Sequence, residues 1–333
     1  MEKVVRYGIA GCSSISRTHI NALSGIENAR ITAVFDRKIE RAETTAKLVG
    51  NNPAIYTDYE TFLKDDNIDA VLVLTASGVH AEMGMLAASY HKHVVTEKPL
   101  DITLEKARQF IKTCDDFHVQ LSCIFQHRYD YDVQKLKATV QSGALGRLVG
   151  GCSHTKWYRD QAYYEAVDWR GTKALDGGGV VINQGIHQLD LFQYIFGEVE
   201  EVFAYCATSM HPTIEVEDIC MANIKFKNGA LGLYETTTNA YPGYYSRMDI
   251  YGTEGSVMLK DNAVVEWNLM NGAKYTTQPT AIAHRLQLQD ITDSILAGRP
   301  SMVSGRDAYK SLCVVDAIYR SAASGKPEKV NYI

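Results

Sequence analysis

Residues 3–16 read KVVRYGIAGCSSIS, a β-branched run that meets a glycine, then small residues, then a helical pattern. A dinucleotide-binding turn places G-x-G-x-x-G at such a point, because glycine lets the backbone approach a pyrophosphate at the following helix N-terminus. Here the three positions are Gly11, Ser13 and Ser16. Small side chains still permit that approach, and a plain strand-to-helix turn without a ligand is the competing reading. The segments that follow decide the fold. VVRYGIA, ARITAVFD, DAVLVLT, HVVTEK and VQLSCIF are continuous apolar runs, suited to a parallel sheet covered on both faces. ISRTHINAL, IERAETTAKLV, HAEMGMLAASY and LEKARQFIKTC lie between them with helical spacing. This is a βαβ series, so residues 1–124 are expected to form an α/β, doubly wound parallel sheet.

From about residue 125 the texture changes. A helix (DVQKLKATVQSG) leads to the aromatic stretch KWYRDQAYYEAVDWRG, to GGGVVINQGIHQLD at 177–190, and then to the longer alternating strands VEEVFAYCAT, DICMANIKFK, ALGLYETTT and SRMDIYG. Asn228-Gly229 between two of these strands is a hairpin signal. Residues 125–333 therefore read as a second, α+β domain with a mostly antiparallel sheet. Two amphipathic helices near 284–297 and 306–323 end the chain and are free to pack back on the first domain. A length of 333 residues with 46% apolar composition agrees with two cores rather than one.

A net charge of -5 and the lack of any Lys or Arg block argue against nucleic acid as a partner. The longest apolar runs, such as AVLVLTA at 70–76, fall far short of a membrane span. The N-terminus enters a strand without a signal-peptide pattern. Seven scattered cysteines with no C-x-x-C spacing point to reduced thiols in a cytoplasm and away from disulfides or a structural zinc; no metal constellation is visible.

Asp36 ends the second strand 25 residues after Gly11, where a carboxylate accepts both ribose hydroxyls of adenosine and repels a 2′-phosphate. Its alternative is a turn aspartate. Arg37 beside it is placed to pair with a 2′-phosphate, so NAD is favoured and NADP stays open. TEKP at 96–99 follows a later strand, on the ligand edge of the sheet. Lys98 there can hydrogen-bond a substrate oxygen and stabilise an alkoxide as hydride leaves; an exposed strand end before a proline is the plainer alternative.

Taken together, GIAGCSSIS, Asp36, TASGVHAEM, TEKP and DGGGVVINQGIHQLD resemble the Gfo/Idh/MocA oxidoreductases over essentially the whole chain. The resemblance implies an N-terminal Rossmann domain, a C-terminal domain whose open sheet serves oligomerisation, and NAD(P)-linked chemistry on a sugar, polyol or nucleotide sugar. Carried onto this sequence, it puts Gly11, Ser13, Ser14 and Ile15 around the pyrophosphate and Asp36 at the ribose. Thr75, Ala76 and His80 lie along the cofactor, Glu97 and Lys98 near the nicotinamide, and Gln126 by its carboxamide. Trp169 and Arg170 look like the pair that contacts cofactor from the second domain.

On a helix, Ile182, Ile186, Leu189 and Phe196 form an apolar stripe, and Asn183, His187 and Asp190 a polar one beside it. A histidine at such a border is commonly structural; the family pattern makes His187 the base that takes the hydroxyl proton, for which its titration range suits it. Lys98 shares that task, and which of the two ends with the proton stays open. Many members have aspartate where this chain has Asn183, a neighbour that raises the pKa of the histidine, so His187 is expected to be the weaker base here. Trp157, Tyr158, Arg159, Tyr163 and Tyr164 read as a substrate wall, with Tyr241–Tyr245 as a further part, since aromatic faces stack on sugar rings and arginine forks phosphate or carboxylate. The whole run most resembles the branch that oxidises the third carbon of a UDP-linked sugar or uronate. Two rivals remain: a glycoside hydrolase that uses bound NAD for transient oxidation and elimination, and a non-catalytic NAD-binding regulator. The alternating IKFK and LGLYETTT leave one apolar sheet face uncovered, so a homodimer or homotetramer is expected.

Overall fold

The computed structural model describes residues 3–332 and resolves into two compact units. One runs to Gln126 and takes in Ile282–Tyr309; the other comprises His127–Ala281 with the segment from Lys310 onward.

In the first unit the chain alternates β1 (Val5–Ala10), α1 (Ser16–Leu23), β2 (Ala29–Phe35), α2 (Ile39–Val49), β3 (Ala54–Tyr56), α3 (Tyr59–Leu63), β4 (Ala70–Val73), α4 (His80–Ser89), β5 (His93–Thr96), α5 (Leu104–Asp116) and β6 (Leu121–Cys123). The strands lie in the order β3-β2-β1-β4-β5-β6 and every pairing is parallel. This is the doubly wound order, reversing between β1 and β4, and such a reversal opens a crevice at the carboxyl ends of the strands. The short β3 and α3 carry no strong apolar period and were not foreseen from sequence.

The second unit contains α6 (Tyr131–Gln141), β7 (Leu148–Lys156), α7 (Gln161–Glu165), a π-helical turn at Val181–Gly185, α8 (Ile186–Phe196), β8 (Val199–Ala207), β9 (Ile219–Phe226), β10 (Leu231–Thr237), β11 (Ser246–Gly252), β12 (Gly255–Lys260) and β13 (Ala263–Leu269). Then α9 (Ala283–Ala297) belongs to the first unit, and α10 (Gly305–Ser324) and β14 (Glu328–Lys329) complete the chain. In the first unit Leu288 and Ile291 of α9 join Val5, Tyr7, Ile9, Leu72 and Val95 in one buried cluster. Each such side chain stabilises by roughly 1.5–3 kcal/mol. Tyr7 Oη of β1 shares a 2.8 Å hydrogen bond with Thr292 Oγ1 of α9.

The second sheet has the order β13-β12-β11-β7-β10-β9-β8-β14. Most pairs are antiparallel, including the β9–β10 hairpin, where Gly229 at φ 86° takes the left-handed position of Asn228-Gly229. One pair is parallel, β7 against β10. The inner face packs on α8 through Phe192, Phe196 and Phe226, with ring centroids 4.9–5.2 Å apart. On the other face Tyr205 stands opposite Met221 and Leu233 opposite Asn223, and Tyr205, Met221, Leu231 and Leu233 are half or more exposed.

Candidate active site

Because all strands of the first sheet are parallel, residues just past their C-terminal ends share one edge. Gly11 follows β1, Asp36 follows β2, Thr75 and Ala76 follow β4, Glu97 and Lys98 follow β5, and Gln126 opens a short turn after β6. At the first of these, Gly11 sits at φ 100°, and a Cβ there would lie 2.8 Å from the carbonyl oxygen of Leu74. Only glycine keeps this turn tight. Cys12 N donates to one oxygen of Asp36 and Lys38 N to the other, each at 2.9 Å, so the turn aims that carboxylate. Ser13 and Ser14 are exposed and Ile15 half-buried ahead of α1. Ser16, where a third glycine was expected, is buried and its hydroxyl donates to Ser13 O at 2.6 Å. Arg37 is exposed beside Asp36.

Two residues expected to touch the cofactor work differently. His80 is 1% exposed, with Nδ1 2.8 Å from Pro99 O and Nε2 3.2 Å from Thr75 O. Burial pushes its pKa down against the pull of those carbonyls, and a neutral ring has one N–H to give, best directed at the nearer Pro99. His80 thus holds the carbonyls of the Thr75 turn and the TEKP segment rather than facing the ligand edge. Glu97 is buried too, its Oε1 2.7 Å from His19 Nε2 and its Oε2 accepting Lys98 N at 3.2 Å. Burial pushes this carboxyl up, but the His19 hydrogen bond and the charges of His19, Lys98 and His284 outweigh it and bring the pKa to about 2.

In the second unit the candidate base His187 stands in the first turn of α8, and the residues before it do not continue a regular α-helix. Residues 181–185 form a π turn, closed by Gly185 N to Val180 O at 2.7 Å, and α8 starts only at Ile186. The expected stripe of Asn183, His187 and Asp190 is therefore corrected. The wider turn breaks the spacing, and Asp190 is 1% exposed, clamped by Arg128 in two hydrogen bonds of 2.8 and 2.7 Å and by Ser311 at 2.7 Å. His187 is half-buried, its ring edge-on to His127 at 5.4 Å, and His127 Nδ1 lies 2.9 Å from Asp130 Oδ2. Asn183 Nδ2 donates to Asp176 Oδ1 at 2.8 Å, and Asp176 Oδ2 takes Gly171 N at 2.8 Å. A carboxylate thus stands one hydrogen bond beyond the asparagine.

Two of the three glycines, Gly178 and Gly179, serve packing. A Cβ on Gly179 would fall 1.7 Å from Glu217 O, and one on Gly178 2.0 Å from Tyr319 Oη. Into that space the Glu217 carboxylate accepts Gly179 N, Val181 N and Tyr319 Oη, all at 2.9 Å. Burial raises its pKa in spite of these donors. Glu217 caps the π turn, satisfying backbone N–H groups that a helix start leaves open, and no sequence signal marked it.

The aromatic segment seats on the same turn. Tyr163 Oη accepts from Gln184 Nε2 at 3.2 Å. Its ring lies under two guanidiniums, Arg170 at 4.0 Å and Arg159 at 5.2 Å from the centroid, with Trp169 and Trp157 beside them. Neither arginine forms an ion pair with a carboxylate among the described residues. Tyr158 packs edge-on against Tyr241 at 5.1 Å. Behind the wall, Tyr164 bonds Thr238 and packs on His211, whose nitrogens meet Asp218 Oδ2 at 3.0 Å and Arg159 O at 2.8 Å. His19, His127, Asp176, Gln184, Glu217 and His211 were missed in the sequence, where only the i,i+3 spacing of His127 and Asp130 offered a hint.

Among the described residues no group of three or more His, Cys, Asp or Glu could hold a metal ion, and no helix is long and apolar enough to cross a membrane. The glycine turn with an aimed carboxylate at the next strand end fits a dinucleotide. Two comparisons with family models agree. A model described as the oxidoreductase family, NAD-binding Rossmann fold, matches residues 5–125, and one described as the GFO/IDH/MocA C-terminal domain matches residues 133–258. The chain is 27% identical over 343 residues to a myo-inositol 2-dehydrogenase of Thermotoga maritima, covering 99% of each. It is 31% identical over 262 residues to the uncharacterised oxidoreductase YrbE of Bacillus subtilis, covering 77% of this chain and 74% of that one. Among solved structures, the WlbA dehydrogenase of Bordetella pertussis, in complex with NADH and UDP-GlcNAcA, superposes with a TM-score of 0.90 at 29% identity, covering 99% of this chain and 100% of that one.

Proposed function

The chain belongs to the Gfo/Idh/MocA oxidoreductases, whose N-terminal domain is an NAD-binding Rossmann fold, and from that premise we propose that it oxidises a secondary alcohol of a sugar, polyol or nucleotide sugar. Bound NAD supplies the hydride acceptor. The turn Gly11–Ile15 holds its pyrophosphate through backbone N–H groups at the start of α1, and Asp36 holds the adenosine ribose. Thr75, Ala76, Lys98 and Gln126 line the remainder of that edge, and Trp169 and Arg170 are the further cofactor residues that the family resemblance implies. His187 takes the hydroxyl proton. The Lys98 ammonium orients the hydroxyl and stabilises negative charge on its oxygen. Asn183 fixes the substrate beside His187.

The observation that carries this reading is that Gly11, Asp36, Thr75, Ala76, Lys98 and Gln126 fall at one edge of a doubly wound sheet, while His187 stands in the first turn of α8, directly after a π turn that bonds the aromatic wall. The wall also bears on substrate class. Two guanidiniums on one tyrosine ring, neither in an ion pair with a carboxylate among the described residues, favour an anionic ligand, and the WlbA relative was crystallised with a UDP-linked uronate. A UDP-sugar or uronate is therefore the favoured substrate, with Tyr158, Arg159 and Tyr163 as its contacts. The open face bearing Tyr205, Met221, Leu231 and Leu233 is the proposed contact between copies in a homodimer or homotetramer. Screening NAD reduction over UDP-sugars, free sugars and inositols tests the substrate assignment. Turnover with inositol and none with UDP-sugars would reverse it.

A further inference from the structure

The Glu97–His19 contact is unlike the surface ion pairs elsewhere in the molecule. His19 is 0% exposed and lies on α1, the helix that starts at the pyrophosphate turn; its backbone N donates to Ile15 O. Its Nε2 meets Glu97 Oε1 at 2.7 Å, while its Nδ1 is buried with no partner among the described residues. Glu97 is ionised, so it can only accept; His19 Nε2 must therefore carry the proton between them. The groups facing Glu97 are His19 from α1, Lys98 from its own strand end, and His284 of α9, whose ring stands edge-on to His19 at 5.6 Å. A carboxylate buried like this is tolerated only when it is paired. Its second oxygen is spent on the backbone N–H of Lys98.

We propose that His19 is a positioning residue for Lys98: its Nε2–H fixes the Glu97 carboxylate, which in turn holds the Lys98 backbone at the ligand edge of the sheet. The helix that receives the pyrophosphate and the segment that presents the ammonium are thereby joined through one buried pair. The inference rests on the proposed role of Lys98 in hydride transfer, and it has one arm that needs no turnover.

In that arm the NAD-free protein, labelled with ¹⁵N-histidine, shows one slowly exchanging Nε2–H resonance far downfield that moves upfield in Glu97→Gln. The absence of any histidine N–H that responds to Glu97→Gln would overturn the proposal. In the kinetic arm, His19→Leu loses about 100-fold in kcat, the scale of a small misplacement at a reacting centre, with KM for NAD little changed. His19→Gln, which restores a donor at the Nε2 position, recovers most of that loss. In a Lys98→Met background His19→Leu costs nothing further. If Gln falls as far as Leu, or if the full loss persists without Lys98, His19 is merely filling space and the proposal fails. A wild type that transfers no hydride to NAD contradicts the proposed function instead, and the resonance still decides the His19–Glu97 pair.

Discussion

Asn183→Asp is the most informative single substitution, because the structure gives it an effect that sequence alone could not. The side-chain amide now donates to Asp176 at 2.8 Å; an aspartate would set an acceptor-only group against a carboxylate that is 1% exposed. Two unit charges at that distance repel by about 6 kcal/mol at an effective dielectric of 20. At 1.36 kcal/mol per pKa unit this caps the upward shift of the second ionisation at about 4 units. Asn183 is only half-buried, so water screens part of this, leaving a shift of about 2–3 units and a loss of about 3–4 kcal/mol. The sign follows from linkage. The folded pair keeps a proton that the unfolded chain releases near pH 4, so the variant matches wild type in acid, weakens as pH rises between the unfolded and folded pKa values, and then levels off. Urea denaturation of both proteins at pH 4.5, 6 and 8 measures it. A stability difference that is the same at pH 4.5 and 8 would refute the Asn183–Asp176 geometry.

Asp190→Ala leaves Arg128 buried without its carboxylate and should cost about 3–5 kcal/mol in urea denaturation; a loss under about 1 kcal/mol would mean that the clamp is not closed in solution. Gly179→Ala forces a Cβ into Glu217 O and should cut kcat sharply while NAD affinity, read by protein fluorescence, holds. The depressed Glu97 pKa stabilises the fold above the ordinary glutamate range, and that contribution is lost as pH falls toward about 2. Glu97→Gln should flatten the acid limb of the stability profile. Leu233→Lys, at the centre of the exposed face, should lower the oligomeric state seen by light scattering with the circular dichroism unchanged.

The first unit was legible because its signals are redundant. IERAETTAKLV, for instance, has a helical period, and the structure places α2 over those same residues. The ligand edge followed from topology alone, since parallel strands put Gly11, Asp36, Thr75 and Lys98 at the same end. What could not be read is what depends on partners distant in sequence. Nothing near GGGVVINQG announces that Glu217 caps it and Tyr319 closes on it, or that the turn widens to a π turn. The burial of Asp190 was not legible from its polar stripe because Arg128, which clamps it, lies 62 residues away. The parallel β7–β10 pair was hidden for the same reason: alternation reports which face a residue takes, not which strand lies alongside.

Hydride transfer to NAD from a carbon-bound hydroxyl, run by His187 and Lys98, is read from the absorbance of the NADH formed. Wild type, Lys98→Met and His187→Ala are each supplied with NAD and UDP-sugars, free sugars or inositols, with NAD affinity measured in parallel. Wild type should reduce NAD with at least one of these classes, and each variant should lose about 100-fold or more in kcat, with His187→Ala binding NAD as before. Turnover in His187→Ala at the wild-type rate, or no NAD reduction by wild type with any of them, would contradict the account.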